Sequence, residues 1–399
     1  MSELGPVDGE VQVAEGAQGA TGNAPLGVVD AIALALSGGG YRATLFHLGA
    51  IWRLNEMGYL KRIERISSVS GGSILAGFLG LRWRELDFDA NGVATNFESV
   101  IVDPVTRFCG RSIDVAAFFI GWLVPGIRPS DALAFFYRGG LFGKATLQDL
   151  PADDNGPRFV LNATGLQTCA DVRFSRTYIG DYKVGLYLKP TTSLALAVAA
   201  SSGFPPVFSP VVVKPEGGTW DPNVSGEAGA DLDKLRERMI LSDGGVYDNI
   251  GLQTISKYKI VLASDASAPQ PIEPDGAGAL GSVVSGGLRV VLIMLGQIQS
   301  RRKVELIAQA KAGAALGVKR ALWDIATKID DYKVPAMVAD NALTDSLQTM
   351  RTRLNRFTPE EQGRLINWGY ALADASMRRW IAPAQPVPKH WPVPDYPLN

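Results

Sequence analysis

Two histidines and two cysteines in 399 residues remove several chemistries at once. His47 lies on the helix expected after a glycine turn, a place for packing or capping, and His390 lies in a proline-rich tail. A Ser-His-Asp triad in that chain order needs a histidine far downstream of its serine, which leaves only His390 to supply it. Cys109 and Cys169 cannot build a disulfide framework, their spacing offers no zinc site, and they read as apolar packing residues in a reducing compartment. Net charge is only −1, so nothing electrostatic favours nucleic acid. No apolar run reaches the length of about 20 residues needed to cross a bilayer. The first thirty residues are acidic, rich in glycine and alanine, and lack the apolar core of a secretory signal. The expected location is the cytoplasm, and residues 1–30 read as a flexible leader. Acidic residues between Pro215 and Asp233 lack the spacing of a calcium loop, so neither a metal nor any other cofactor is expected.

Hydrophobic residues make up 46% of the chain and charged residues 20%, which describes a globular protein with a sizeable core. The length allows one large α/β domain or two smaller ones. The stretch from Ala31 to Gly80 organises the rest, reading as strand, glycine turn, helix, strand, serine turn and helix. Its first turn, Gly38-Gly39-Gly40, follows the apolar run Ala31 to Leu36. Three glycines permit positive φ and leave several N–H groups clear of side chains, which suits a tight structural turn, a nucleotide-phosphate cradle or an oxyanion hole. The second turn, Ser68-Val69-Ser70-Gly71-Gly72, runs from a short strand into the apolar helix beginning near Ile74. A nucleophile elbow needs small residues on both sides of its serine, and Ser68, Gly71 and Gly72 meet that need around Ser70. Ser67, Ser68 and Ser73 are rivals, and any of the four could be a simple helix cap.

The base expected for such a serine is a carboxylate. Asp243 stands at the end of Met239-Ile-Leu-Ser-Asp, immediately before Gly244-Gly245, so an apolar strand can deliver it to a sheet end while the backbone folds closely around it. A carboxyl with an ordinary pKa near 3.9 is a weak base at neutral pH, so this role requires desolvation. Asp248 and Asp265 are rival carboxylates, and a plain Asp-Gly-Gly turn is the structural alternative.

With these pieces in order the chain resembles the patatin-like phospholipase family of serine acyl hydrolases. The matching blocks are Gly38-Gly-Gly-Tyr-Arg42, Ser68-Val-Ser-Gly-Gly72 and Asp243-Gly-Gly245, joined by Phe159 to Thr168 and Ala199 to Phe208. Ser68 stands where the elbow's first glycine is usual, and Ala43 where glycine commonly follows the basic residue. The resemblance covers about 31–268. It implies a three-layer α/β/α fold, a catalytic Ser70–Asp243 dyad, an oxyanion loop at Gly38, Gly39 and Gly40, and a basic position at Arg42. Arg42 could bind a phospholipid phosphate or brace the glycine loop. The activity implied is a lipid acyl hydrolase of phospholipase A or lysophospholipase type, with a phospholipid or other lipid ester as partner. A non-hydrolytic lipid- or nucleotide-binding protein and an acyltransferase are the alternatives.

Elsewhere, continuous apolar strands interleaved with helices predict a mostly parallel sheet covered on both faces. Strands are expected at Arg158 to Thr164, Lys259 to Ser264 and Arg289 to Leu295, a hairpin around Gly180-Asp181, and helices over Lys303 to Ile329 and Thr358 to Trp380. The domain should span 31–381, with a C-terminal helical extension from about 300. Residues 382–399, with six prolines, should form an extended tail. The aromatic-rich segment 108–142 reads either as core or, through 115–137, as a lid or peripheral membrane contact.

Overall fold

The computed structural model describes residues 28–205, 207–224, 226, 229–267 and 283–399. Residues 1–27 of the expected leader and residues 268–282 lie outside the described residues. Strands are β1 (Val29–Leu36), β2 (Ile63–Val69), β3 (Arg158–Gly165), β4 (Ala170–Phe174), β5 (Tyr178–Asp181), β6 (Gly185–Leu188), β7 (Val211–Val213), β8 (Thr219–Trp220), β9 (Met239–Asp243), β10 (Tyr258–Asp265) and β11 (Lys319–Asp324). The helices that frame the site are α1 (Gly40–Glu56), α2 (Gly71–Arg82), α3 (Asp114–Leu123), α4 (Pro129–Tyr137), α5 (Leu194–Ser201), α6 (Gly245–Asp248), α7 (Val283–Leu316) and α8 (Pro359–Trp380).

All strands join one sheet, in the order β11-β10-β1-β2-β3-β4-β5-β6-β8, with β9 on β3 and β7 on β9. From β11 to β3 the pairs are parallel, which brings the carboxyl ends of β1, β2, β10 and β11 to one rim. Beyond β3 the sheet turns antiparallel, because the short connections from β3 to β6 leave no room for a crossover helix. Alternate residues of β1 face opposite layers. Leu34 and Leu36 pack with α1, α2 and α8, while Ala33 and Ala35 pack with Ile250, Val261 and Leu306 of α7. This is the expected α/β/α sandwich.

Two expectations are corrected. Arg289 to Leu295 is not a strand but part of α7, and Lys303 to Ile329 is not one helix. The helix stops at Leu316, before Gly317 at φ 65°, and the chain enters β11, the true neighbour of β10. An unbroken apolar run suggests a buried strand, but here Val290, Ile293 and Met294 lie on an exposed helix surface. The hairpin turn also sits slightly later than expected, at 182–184, where Asp181 Oδ1 accepts the N–H groups of Lys183 and Val184 at 2.8 and 2.9 Å.

The C-terminal helix α8 begins as its sequence predicts, with Thr358 and Glu361 forming a capping box. It crosses α1 so closely that a Cβ on Gly49 would lie 1.8 Å from the Ile366 carbonyl oxygen, and one on Gly369 would lie 1.9 Å from that of Phe46. Beside this crossing the buried Asp374 pairs with Arg53 and Arg378 at 2.8 and 2.7 Å. The proline-rich segment has neither helix nor strand, yet it is tied down: Asn367 Nδ2 donates to the Val393 and Tyr396 carbonyls at 2.9 and 2.8 Å, and Leu398 is buried.

A helix-interior glycine replaced by alanine normally gains about 1 kcal/mol. Gly369→Ala should do the reverse, because forcing a methyl into a backbone-to-backbone contact costs roughly 1–3 kcal/mol. A lower denaturation midpoint than the parent's is the expected result, and an unchanged or higher one would show that the helices do not cross there.

Candidate active site

The site is built by the way strands share the edges of β3. One edge pairs with β4 over Leu161 to Gly165. The other pairs first with β2, Arg65↔Arg158 to Val69↔Asn162, and then with β9, Ala163↔Asp243 to Gly165↔Leu241. Because β2 runs parallel to β3 and β9 antiparallel, β2 and β9 point at each other and end at the same place. Ser70 follows the last residue of β2, and Asp243 is the last residue of β9. The two sequence-predicted residues are thus brought together across a single position of β3.

Ser70 adopts φ 51° and ψ −119°, a conformation that costs an L-residue about 1–3 kcal/mol and persists only where the surroundings hold it there. The surroundings are visible. The Ser70 N–H donates to Ser201 Oγ at 3.1 Å, and Ser201 Oγ–H donates to the Asn162 carbonyl at 2.7 Å. The Ser201 carbonyl accepts the Gly244 N–H at 3.1 Å, so one residue at the end of α5 holds the turns on both sides of the site. The rival serines are fully buried and occupied: Ser67 donates to the Gly251 carbonyl at 2.7 Å, while Ser68 and Ser73 share a hydrogen bond of 2.9 Å. Ser70 alone of the four reaches solvent, with 9% exposure.

Burial pushes the Asp243 carboxyl up to about 7, against the opposing pull of the Gly245 N–H, which donates to Oδ1 at 2.7 Å, and of the Ser70 hydroxyl. Oδ2 is buried with no hydrogen-bond partner among the described residues. Such an atom is costly to keep, and its cost is characteristic of a group held ready for a proton. The rival carboxylates are neutralised. Asp248 pairs with Arg302 at 2.5 Å, and Asp265 with Lys303 at 2.6 Å.

The glycine turn lies against the serine turn. A Cβ on Gly71 would stand 2.1 Å from the Gly40 carbonyl oxygen, and Thr44 Oγ1 bridges the two by donating to the carbonyls of Gly71 and Gly40 at 2.8 and 3.1 Å. The amino ends of α1 and α2 therefore converge beside Ser70, and both helix dipoles favour negative charge there. The expectation of three equivalent amides is corrected at Gly38, whose N–H is committed to the Asn249 carbonyl at 3.0 Å. The N–H groups of Gly39, Gly40 and Gly71 make no hydrogen bond among the described residues. Gly39 and Gly40 need their freedom: their φ values are 140° and 57°.

Arg42 is 1% exposed, and its Nη1 and Nη2 donate to the carbonyls of Met350 and Ala266 at 2.8 and 2.6 Å. This is the bracing role, and it removes the guanidinium from reach of a substrate phosphate. His47 is buried behind the loop, where Nε2–H donates to the Ser37 carbonyl at 3.0 Å and Nδ1 accepts from Ser264 Oγ at 2.7 Å, with burial lowering its pKa to about 4. His390 is exposed. Sequence reasoning missed Ser201 and Asn249. Both lie in blocks already singled out, Ala199 to Phe208 and the stretch after Asp243, but a buried hydroxyl or a backbone carbonyl gives no periodic signal. Among the described residues no group of three or more His, Cys, Asp or Glu side chains comes together as a metal site would require.

A family model described as patatin-like phospholipase matches residues 34–255. Among solved structures the chain is similar to human GIVD cytosolic phospholipase A2, with a TM-score of 0.50 and 12% identity over 88% of this chain and 59% of that one. The same human protein in complex with methyl gamma-linolenyl fluorophosphonate gives a TM-score of 0.47 and 14% identity over 92% and 61%. VipD from Legionella pneumophila gives 0.32 and 15% over 88% and 66%. The chain spans about three fifths of the length of these human structures. No curated protein matches it in sequence.

A carboxyl whose pKa is near 4 in the unfolded chain and about 7 in the fold favours folding fully below pH 4, and that favour is lost as pH rises through 7. Asp243→Asn carries no such charge. Its stability relative to the parent should therefore grow between pH 4 and pH 7 by about 2–4 kcal/mol, read from denaturant unfolding at each pH. A constant difference would mean that Asp243 is not desolvated.

Proposed function

The chain belongs to the patatin-like phospholipase family, and from that membership we propose a lipid acyl hydrolase of phospholipase A or lysophospholipase type, working through a Ser70–Asp243 dyad. The reading is supported above all by one observation: a serine held at φ 51° meets, at the end of β9, a buried carboxyl that among the described residues has no ion pair and one oxygen without a hydrogen-bond partner.

In the proposed reaction the Ser70 hydroxyl attacks the acyl carbonyl of a lipid ester while the Asp243 carboxylate takes its proton. The negative charge that develops on the carbonyl oxygen is met by the amides of Gly39, Gly40 and Gly71 and by the two helix ends behind them. Collapse of this intermediate expels the alcohol, which takes the proton back from Asp243, and leaves the acyl group on Ser70. Water, deprotonated by Asp243, then releases the fatty acid and restores the serine. Ser201 and Asn249 are positioning residues in this scheme, holding the serine turn and the glycine turn. The peripheral surface offered to lipid includes segment 115–137.

A serine-directed fluorophosphonate should label the parent at Ser70 and leave Ser70→Ala unlabelled. Asp243→Asn should lower kcat for a short-chain ester by at least ~10^3-fold with its fold intact. The parent's kcat/KM should fall as pH drops below about 7, where Asp243 takes up its proton. Labelling elsewhere, or normal turnover by either variant, would remove the dyad.

A further inference from the structure

Helix α7 has 34 residues, and its second half is built onto the sheet. Leu306 is buried among Ala33, Ala35, Val261 and Ala263 of the sheet, and Gln309 Oε1 accepts from Arg320 Nε at 2.9 Å near the start of β11. Lys303 reaches Asp265 and Asp324, the last residues of β10 and β11. The helix therefore runs from the rim of carboxyl ends back along the sheet, and the residues before Lys303 continue outward past that rim. At about 1.5 Å per residue the overhang is roughly 30 Å. Val290, Ile293 and Met294 on it are exposed, Met294 at 59%.

A second bare surface flanks the same rim on the opposite layer. The first residues of α3 hang on the segment that covers the glycine turn: Ile113 N–H donates to the Leu354 carbonyl at 2.9 Å, Asp114 pairs with Arg353 at 2.9 Å, and Tyr41 N–H donates to the Arg353 carbonyl. From there α3 and α4 expose Phe119, Leu123 and Phe135, the last two at 65% and 67%. Ala117, Leu133 and Tyr137 of the same helices are core residues, so part of this segment is core as expected.

Both surfaces are positively charged in a chain of net charge −1. Residues 107–144 carry Arg107, Arg111, Arg128, Arg138 and Lys144 against Asp114 and Asp131, and the overhang of α7, residues 283–302, has no acidic residue and exposes Arg301. No helix among the described residues is long and apolar enough to cross a membrane. Apolar side chains edged by cations suit an interface with acidic lipid headgroups, where burial and surface potential add.

We propose that the overhang of α7 and the α3–α4 surface are two walls of one docking face, which seats the Ser70 rim on a bilayer containing anionic phospholipid. The proposal rests on the lipid hydrolase reading and adds the surface on which that chemistry would be done. The test is sedimentation of the full chain, carrying Ser70→Ala to spare the lipid, with vesicles of phosphatidylcholine alone or mixed with an equal part of phosphatidylglycerol. Binding should be about tenfold stronger to the mixed vesicles and weaken with salt. Met294→Glu and Phe135→Glu, each added separately, should lower it by about tenfold or more. In a chain with Ser70 intact, Met294→Glu should leave turnover of a soluble short-chain ester within about twofold, since its side chain stands on the exposed surface of α7. Full vesicle affinity in either variant would overturn the proposal. So would a dimer, seen by light scattering, that Met294→Glu dissolves while vesicles go unbound. Vesicle binding in the expected pattern by a parent that hydrolyses no ester would sustain the docking face and sink the hydrolase reading instead.

Discussion

Two strands that share one edge of β3 and end head to head are the constraint on which the rest depends. Any single strand can place one reactive group at a sheet end. Here β2 and β9 are consecutive tenants of the same edge, so the register that pairs Val69 with Asn162 and Asp243 with Ala163 also fixes the separation of Ser70 and Asp243. A slip of one residue in either strand would send one of the two side chains to the opposite layer. The proximity is therefore maintained by backbone hydrogen bonds rather than by any attraction between the two side chains.

That arrangement is costly, and the cost is met locally. A strained Ser70, an unpartnered Asp243 oxygen and several unoccupied amides would each oppose folding if isolated. They are held by a compact set of contacts: Ser201 bridges the two turns, Thr44 ties the ends of α1 and α2, Asn249 occupies the Gly38 amide, and Arg42 fastens the glycine loop to the C-terminal part of the chain through Met350 and Ala266. The last connection explains why residues well beyond the matched family region contribute to the site. The segment before α8 covers the glycine turn, and α8 is clamped on α1 through the paired glycines and the Asp374 ion pairs.

The ionic groups divide in the same way. Asp248, Asp265 and Asp324 stand near the same rim as Asp243, yet each is matched by Arg302 or Lys303 of α7. Helix α7 thus anchors itself by neutralising these three carboxylates, while Asp243 has no ion pair among the described residues. The same helix then continues beyond the rim, where it exposes Val290, Ile293 and Met294.

Much of this was legible in the sequence because it depends on local backbone chemistry. A glycine turn after an apolar strand, small residues around Ser70, Asp-Gly-Gly after an apolar run and the Thr358–Glu361 capping box each carry their structural meaning within a few residues. What the sequence left open was decided by contacts between distant segments. Nothing local says that Gly38 would spend its amide on Asn249, that Arg42 would turn to carbonyls, or that Ser201 would hold the elbow. The apolar run at Val290 to Leu295 misled for the same reason: its period could not tell a buried strand from a helix that leaves Val290, Ile293 and Met294 exposed. Sequence determined which groups could react, because reactivity belongs to residue types and turns. Tertiary structure decided which of them meet, because edge sharing, burial and ion pairing are properties of the assembled sheet.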